Sequence, residues 1–293
     1  STQGYSSAAS DVYKRQAQLA ELHPDGLMLS NGPGDPAENV EIIANIRKML
    51  SQAEKGGVQN TIQNCVTVLQ NDPVLADSIR LNLLSERIDI VKPMGWQRSG
   101  PTLTDTDMMY ILRRMEKYGL YSEKRVSAAI RIVANENHYH PIRDYLNDLK
   151  WDGAERISHA LHRFLGAAED ELTAEALKIF LLGAIKRVFH PGCKFEMMLC
   201  LVGGQGAGKS SFFRLLAIKD EWFSDDLRRL DDDNVFRKLQ GHWIMEMSEM
   251  IATANAKSIE EIKSFLSKQK ETYKVPYETH PADRLRQCVF AGT

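Results

Sequence analysis

Positions 203 to 210 read GGQGAGKS, and no other stretch constrains the possible folds of this chain so tightly. The octapeptide meets the pattern G-x-x-x-x-G-K-[ST] at each fixed position, the signature of a loop that wraps a polyphosphate. In such a loop Gly203, Gly204, Gln205, Gly206, Ala207 and Gly208 turn consecutive backbone N–H groups onto phosphate oxygens. Lys209 supplies a point charge to the outer phosphates, the Ser210 hydroxyl ligates magnesium, and Ser211 completes the predicted contact set. ATP and Mg2+ are the expected ligands. The flanks agree with this reading. Met197 to Val202 (MMLCLV) is an unbroken apolar run that predicts a buried parallel strand, and Phe212, Leu215 and Leu216 repeat at helical spacing behind the loop. The predicted helix would add the positive end of its dipole to the phosphate site. A glycine-rich turn in an unrelated fold is the competing reading, and it does not account for both flanks.

At 293 residues and 43% hydrophobic composition the chain can build one large or two ordinary domains. Its formal net charge of -2 rules out a global basic field, so any contact with nucleic acid must come from a local patch. Cys65, Cys193, Cys200 and Cys288 lie far apart without a C-x-x-C pair, which argues against a zinc ribbon or a disulfide scaffold and fits a reducing cytoplasm. No apolar run approaches the roughly 18 to 20 residues needed to span a bilayer, and no signal-peptide pattern or internal repeat is found.

The first fifty residues differ from the rest. Residues 1–16 are small and polar, as a tag or linker would be. Within residues 17–52, Leu29 to Pro36 (LSNGPGDP) resembles the start of the glutamine amidotransferase domain in the carbamoyl-phosphate synthase small chain. That resemblance implies a loop contributing to an oxyanion site, with a downstream cysteine nucleophile. Cys65 sits in NTIQNCVTVL, not in a nucleophile turn, so amidotransferase chemistry is not expected. Val40, Ile43, Ile46 and Met49 fall near one helical face with no sheet to join. The segment reads as a foreign graft, which sequencing the source DNA across Leu50 to Gly57 would test.

Residues 53–165 read as a mainly helical flanking region. Thr104 with Asp107 forms a capping box ahead of the stripe Met108, Ile111, Leu112 and Met115, ending at Gly119. Val126, Ala129, Ile130 and Val133 form a second stripe, so the pair could be a helix-turn-helix or plain scaffold. The His138/His140 and His159/His162 pairs lack acidic or cysteine partners at ligand spacing, which favours structural roles over metal binding. Leu177, Phe180, Leu181, Ala184, Ile185 and Val188 predict a long helix ended by Pro191-Gly192, long enough to buttress the sheet.

The segments HPIRDYLNDLKWDG, PGCK, LVGGQGAGKS, GHWIMEMSEM and THPADRLRQCVFAGT together resemble the virulence-associated protein E family of phages and mobile elements, from about residue 57 to the end. The resemblance implies an α/β fold with the parallel-sheet core of a P-loop NTPase, of the AAA+ or superfamily 3 helicase type, over residues 166–293. Its second nucleotide motif should be an apolar strand ending in carboxylates, because magnesium and the attacking water both need anionic partners. His242 to Glu246 supplies that strand. Glu246 is assigned to the magnesium shell and Glu249 to the water, a departure from the commoner adjacent pair; Glu249 as a solvated loop residue is the alternative. Asp225-Asp226 and Asp231 to Asp233 read as solvated turns.

Ser258 with Glu261 caps a predicted helix that turns Ile259, Ile262, Phe265 and Leu266 inward. In the family resembled, this interval holds a hairpin that grips single-stranded DNA. Lys263, Lys268, Lys270 and Lys274 could pair with phosphates and Tyr273 or Tyr277 stack on bases, although interleaved glutamates make a plain charged face an alternative. Cys288 to Ala291 resembles the strand leading to a polar sensor residue, expected just past Thr293, and Arg284 or Arg286 is a candidate phosphate-sensing or neighbour-reaching arginine. The sheet is therefore expected to be truncated at its C-terminal side, with nucleotide binding but little turnover.

The leading expectation is an ATP-hydrolysing, helicase-like enzyme serving replication of a phage or mobile element, with single-stranded DNA and a homo-oligomeric ring as partners and no membrane. The alternative is a nucleotide-dependent assembly or DNA-binding module that unwinds nothing. A P-loop small-molecule kinase is weakened by the carboxylate pair and by the lack of an arginine-rich lid.

Overall fold

The computed structural model describes residues 40–53, 56–227, 235–247, 256–273 and 282–293. Residues 1–39, with the LSNGPGDP stretch, and Asp231 to Asp233 lie outside them. Among the described residues the apolar side chains gather in three clusters, a first core built by helices around a small hairpin and, on the two faces of a parallel sheet, a second and a third.

The first core begins with α1 (Val40–Met49) and α2 (Ile62–Asn71). In α1 the buried face is Ile42, Ile43 and Ile46, continued by Leu50, while Val40 and Met49 point to solvent. The expected face was thus right at Ile43 and Ile46 and wrong at the helix ends, where too few turns flank the residue to cover it. This helix is seated: it packs against α2, and the buried Asn64 ties the following strand of chain down, accepting from Ser51 N–H at 3.0 Å and donating to the Ser51 carbonyl at 3.0 Å. β1 (Ile79–Asn82) and β2 (Arg87–Ile90) then pair as an antiparallel hairpin that the helical reading of this region did not anticipate. Its strands are four residues long, too short for a clear two-residue period.

α3 (Asp105–Glu116) and α4 (Glu123–Glu136) follow the expected stripes, with Ile111, Met115, Val126, Ala129, Ile130 and Val133 all buried. The capping box at α3 is complete in both directions: Thr104 accepts from the Asp107 N–H and Asp107 accepts from the Thr104 N–H. Asp72 anchors the packing of α2 on α3, taking Arg114 Nε at 2.5 Å and the Tyr118 hydroxyl at 2.6 Å.

The second core is framed by α5 (Pro141–Asp148), α6 (Ile157–Leu165) and the nineteen-residue α7 (Glu171–Phe189). α7 buries Leu177, Phe180, Ala184 and Val188 as expected, whereas Ile185 is exposed. Its sheet has four parallel strands in the order β3 (Met198–Cys200), β8 (Val289–Gly292), β5 (Ile244–Met247) and β4 (Phe223–Ser224). The connections are α8 (Lys209–Leu216), the short α9 (Val235–Leu239), and α10 (Ala256–Ser267) with the antiparallel hairpin β6 (Lys270–Tyr273) and β7 (Ala282–Leu285).

Three expectations need correction here. β3 is not a buried strand: among the described residues it pairs only with β8, which leaves Met197 and Cys200 exposed and Val202 97% accessible. In α8 it is Phe212 and Phe213 that face the core, while Leu215 is 75% exposed. The helix turns through 100° per residue, so a pair of adjacent aromatics can share the inward face that spacing alone assigned to Leu215. Further on, α10 starts two residues before Ser258 and buries Ile262, Phe265 and Leu266, with Ile259 on its outer side.

The hairpin turn of the first core plugs into the second. Leu84 is buried in the apolar cluster around the sheet, Gly241 N–H donates to its carbonyl, and Gln240 Nε2 donates to the Ser85 carbonyl. Gln287, at the entrance to β8, donates to the Leu83 carbonyl at 2.9 Å and meets His140 Nε2 at 2.7 Å. Burial lowers the His140 pKa, so the ring is neutral at pH 7, donating through Nε2 while Nδ1 accepts from the Arg143 N–H at the start of α5.

Candidate functional site

In a parallel sheet all strands end at one rim, and the loops leaving that rim are where ligands are held. β3 and β8 end in register there, Cys200 beside Gly292, and Glu246 lies one residue short of the same rim, opposite Ala291. Because β8 runs between β3 and β5, the residue that leaves it stands between the glycine loop and the carboxylate.

The loop leaves β3 and enters α8 through two left-handed glycines, Gly206 (φ 80°) and Gly208 (φ 82°), conformations that a side chain would strain. Residues 203–208 are exposed, and a Cβ placed on Gly203, Gly204 or Gly206 would meet nothing within 4 Å, so open space lies in front of the loop. Gly208 caps α8, whose first N–H groups have no partner within the helix and point toward that space. Lys209 folds back across the loop, Nζ donating to the carbonyls of Gly203 at 3.0 Å and Gly204 at 2.8 Å.

One helical step on, the Ser210 hydroxyl donates to Glu246 Oε1 at 2.7 Å. The Thr293 hydroxyl donates to the same oxygen at 2.6 Å. Glu246 is fully buried, and its second oxygen, Oε2, is enclosed without a hydrogen-bond partner. A buried carboxylate oxygen left unanswered is costly unless something absent from the protein atoms completes it. Hydroxyl and carboxylate oxygens are the donor set of a hard divalent cation, so Ser210 and Glu246 fit a magnesium ion. The structure brings together Lys209, Ser210 and Glu246, all named from the sequence, and adds Thr293, which was not a sequence candidate and whose only signal was a hydroxyl closing an apolar strand. Glu249 lies outside the described residues.

The other sequence candidates sit elsewhere. Arg286 is buried near the opposite rim, bonded to Glu271 and to the Phe265 carbonyl, with its guanidinium 4.6 Å from the Phe265 ring centroid. Arg284 pairs with Glu86 of the β1–β2 turn. Both precede β8, a strand of four residues or about 13 Å, so they lie far from the glycine loop of their own chain. Lys263 bonds Glu260, Lys270 pairs with Asp283, and Lys268 lies over the Phe265 ring with Glu271 at 4.0 Å. Lys274 and Tyr277 lie outside the described residues, as does the tip of the β6–β7 hairpin. His159 and His162 converge on Glu169, at 2.7 and 4.0 Å, on the exposed surface of α6. Among the described residues no group of three or more His, Cys, Asp or Glu side chains is arranged to hold a metal, and no helix is long and apolar enough to cross a membrane.

Comparison with solved structures finds the A form apo structure of the NrS-1 C terminal region (TM-score 0.44, 13% identity, 73% of this chain and 53% of that one). The same region bounded as 305-718 is matched with a TM-score of 0.41 and 13% identity, covering 73% and 52% of the two chains. The chain thus spans about half the length of the solved chains it matches. No curated protein matches it. The family model of the virulence-associated protein E-like domain matches residues 146–293, half of the chain and the whole of the parallel sheet with its glycine loop, and the chain belongs to this family.

Proposed function

We propose that this chain carries the nucleotide-hydrolysing core of a replication-associated protein of a phage or mobile element, binding ATP with magnesium between the Gly203–Ser210 loop and Glu246. The observation that carries the reading is the 2.7 Å contact between the Ser210 hydroxyl and a buried carboxylate whose other oxygen has no partner. Those two side chains come from segments 36 residues apart and meet only because their strands end at one rim.

A magnesium ion held by Ser210 and Glu246 would supply neutralisation of the charge that builds up at the phosphates during transfer to water. The chain's own part is positional. Loop N–H groups and the α8 N-terminus would hold the phosphates, Lys209 would exchange its two carbonyl bonds for phosphate oxygens, and Ser210 and Glu246 would hold the metal. Glu249 is the residue proposed to orient the attacking water. In chain order the β6–β7 hairpin falls between β5 and β8, the interval that in the family resembled holds a DNA-gripping hairpin; on that resemblance single-stranded DNA is the proposed partner and a ring of copies the proposed assembly.

ATP binding and hydrolysis by wild-type protein and Lys209→Ala, each with and without single-stranded DNA, test the proposal. Wild type should bind ATP in a magnesium-dependent way, and the variant should bind about 10- to 100-fold more weakly, the worth of a charge-assisted hydrogen bond. Any turnover should rise with DNA in the wild type alone. Binding without turnover or DNA response would favour a nucleotide-dependent assembly module, while binding indifferent to Lys209 would remove the proposal.

A further inference from the structure

We infer that Thr293 is a positioning residue for the metal carboxylate: its hydroxyl fixes Glu246 so that Oε2 remains the oxygen offered to the cation. This rests on the nucleotide-site reading above and adds to it a residue and a division of labour between the two carboxylate oxygens.

The two oxygens of Glu246 are restrained unequally. Oε1 of Glu246 receives two hydroxyl protons, from Ser210 at 2.7 Å and Thr293 at 2.6 Å, while Oε2 receives none and is sealed from solvent. Ser210 would meet the cation through a lone pair while its proton stays on Oε1, so its position answers to the metal as well as to the carboxylate. Thr293 takes no part in holding the cation. It hangs from the end of β8, which is hydrogen-bonded to β3 and β5 on either side, so its Oγ1 is carried by a strand held from both flanks. Ligating carboxylates are commonly oriented by such outer hydrogen bonds, whose loss weakens metal binding by roughly 10- to 100-fold.

Lengthwise, the same strand ties the site to the rest of the molecule. β8 begins just after Gln287, which bonds His140 and the Leu83 carbonyl, and ends at the Thr293 hydroxyl on Glu246. The carboxylate is therefore referenced to the sheet as well as to the helix that follows the glycine loop.

The experiment is a magnesium titration of a fluorescent ATP analogue, N-methylanthraniloyl ATP, bound to wild type, Thr293→Val, Thr293→Ser and Glu246→Gln, with the metal-free affinity of each measured alongside. Thr293→Val keeps shape and removes the hydroxyl. It should raise the magnesium concentration for half-maximal binding by about tenfold or more, leave metal-free nucleotide affinity within twofold of wild type, and be restored by Thr293→Ser. Unchanged metal-free affinity also reports that the loop is folded. Thr293→Val matching wild type in the magnesium titration would overturn the inference, and so would Thr293→Ser failing to rescue. A wild type that binds the analogue with no magnesium dependence, with Glu246→Gln behaving identically, would instead overturn the assignment of the metal to Glu246 and this inference with it.

Discussion

Asp107 illustrates how much one buried carboxylate can organise. It accepts from Trp96 Nε1 and Arg98 Nε, each at 2.8 Å, and from both the N–H and hydroxyl of Thr104. Burial alone would raise its pKa, but the bonds from Arg98, Trp96 and Thr104 outweigh it and hold the group well below the ordinary carboxylate range. With a folded pKa below the unfolded one, the stabilisation is complete above the unfolded value, about 3.9, and is lost as pH falls from there toward the folded value. Asp107→Asn should therefore destabilise the protein by about 2–3 kcal/mol at pH 7. In urea unfolding the gap to wild type should narrow at pH 3, and an equal gap at both pH values would contradict this account. The capping role of Asp107 was legible in the Thr104-to-Asp107 spacing, since a cap is a local device. Its bonds to Trp96 and Arg98 were not, because they depend on how an irregular segment folds back. Lys209 and Ser210 were legible for the same reason as the cap: the loop encodes its own geometry. Thr293 and Arg187 were hidden, as each acts on partners far along the chain. Arg187, which no sequence motif marks, is 1% exposed and donates to the carbonyls of Phe195 at 2.7 Å and Cys288 at 3.1 Å.

At the scale of elements, α7 does more than cover the sheet. Arg187 holds the segments that enter β3 and β8, and Gly183 receives the ring of Phe195 directly against the helix backbone. A Cβ at position 183 would fall within contact distance that real atoms do not adopt, against three carbons of that ring. Alanine gains about 1 kcal/mol of helix propensity over glycine, but overpacking costs typically 1–3 kcal/mol, and here the neighbour is a rigid ring close to the backbone. Gly183→Ala should lower the melting temperature by a few degrees, and Phe195→Leu in the same chain should recover part of the loss. A higher melting temperature for Gly183→Ala would mean that propensity wins and that the ring is free to move. The existence and period of α3, α4 and α7 could be read from the sequence because each buries a regular stripe. β1 and β2 could not, since four-residue strands carry too few alternations, and the exposure of β3 depends on its place in the sheet, which no local pattern records.

Across the whole molecule, the two ends of the parallel sheet have different work. One rim receives the turn between β1 and β2, with Leu84 buried in the sheet's own core and Arg284 paired to Glu86. The other rim carries the glycine loop, Glu246 and Thr293. The order β3–β8–β5–β4 makes both arrangements possible, because β8 touches the loop strand on one side and the carboxylate strand on the other. The second rim is the proposed metal–nucleotide site. A crystal of the protein grown with Mn2+ and a non-hydrolysable ATP analogue, measured for anomalous scattering, tests that proposal. One manganese peak is expected, bonded to Ser210 Oγ and a Glu246 carboxylate oxygen, directly or through a water, with the phosphates against the 203–210 loop. Analogue and manganese bound elsewhere, with the Ser210–Glu246 hydrogen bond intact, would contradict it.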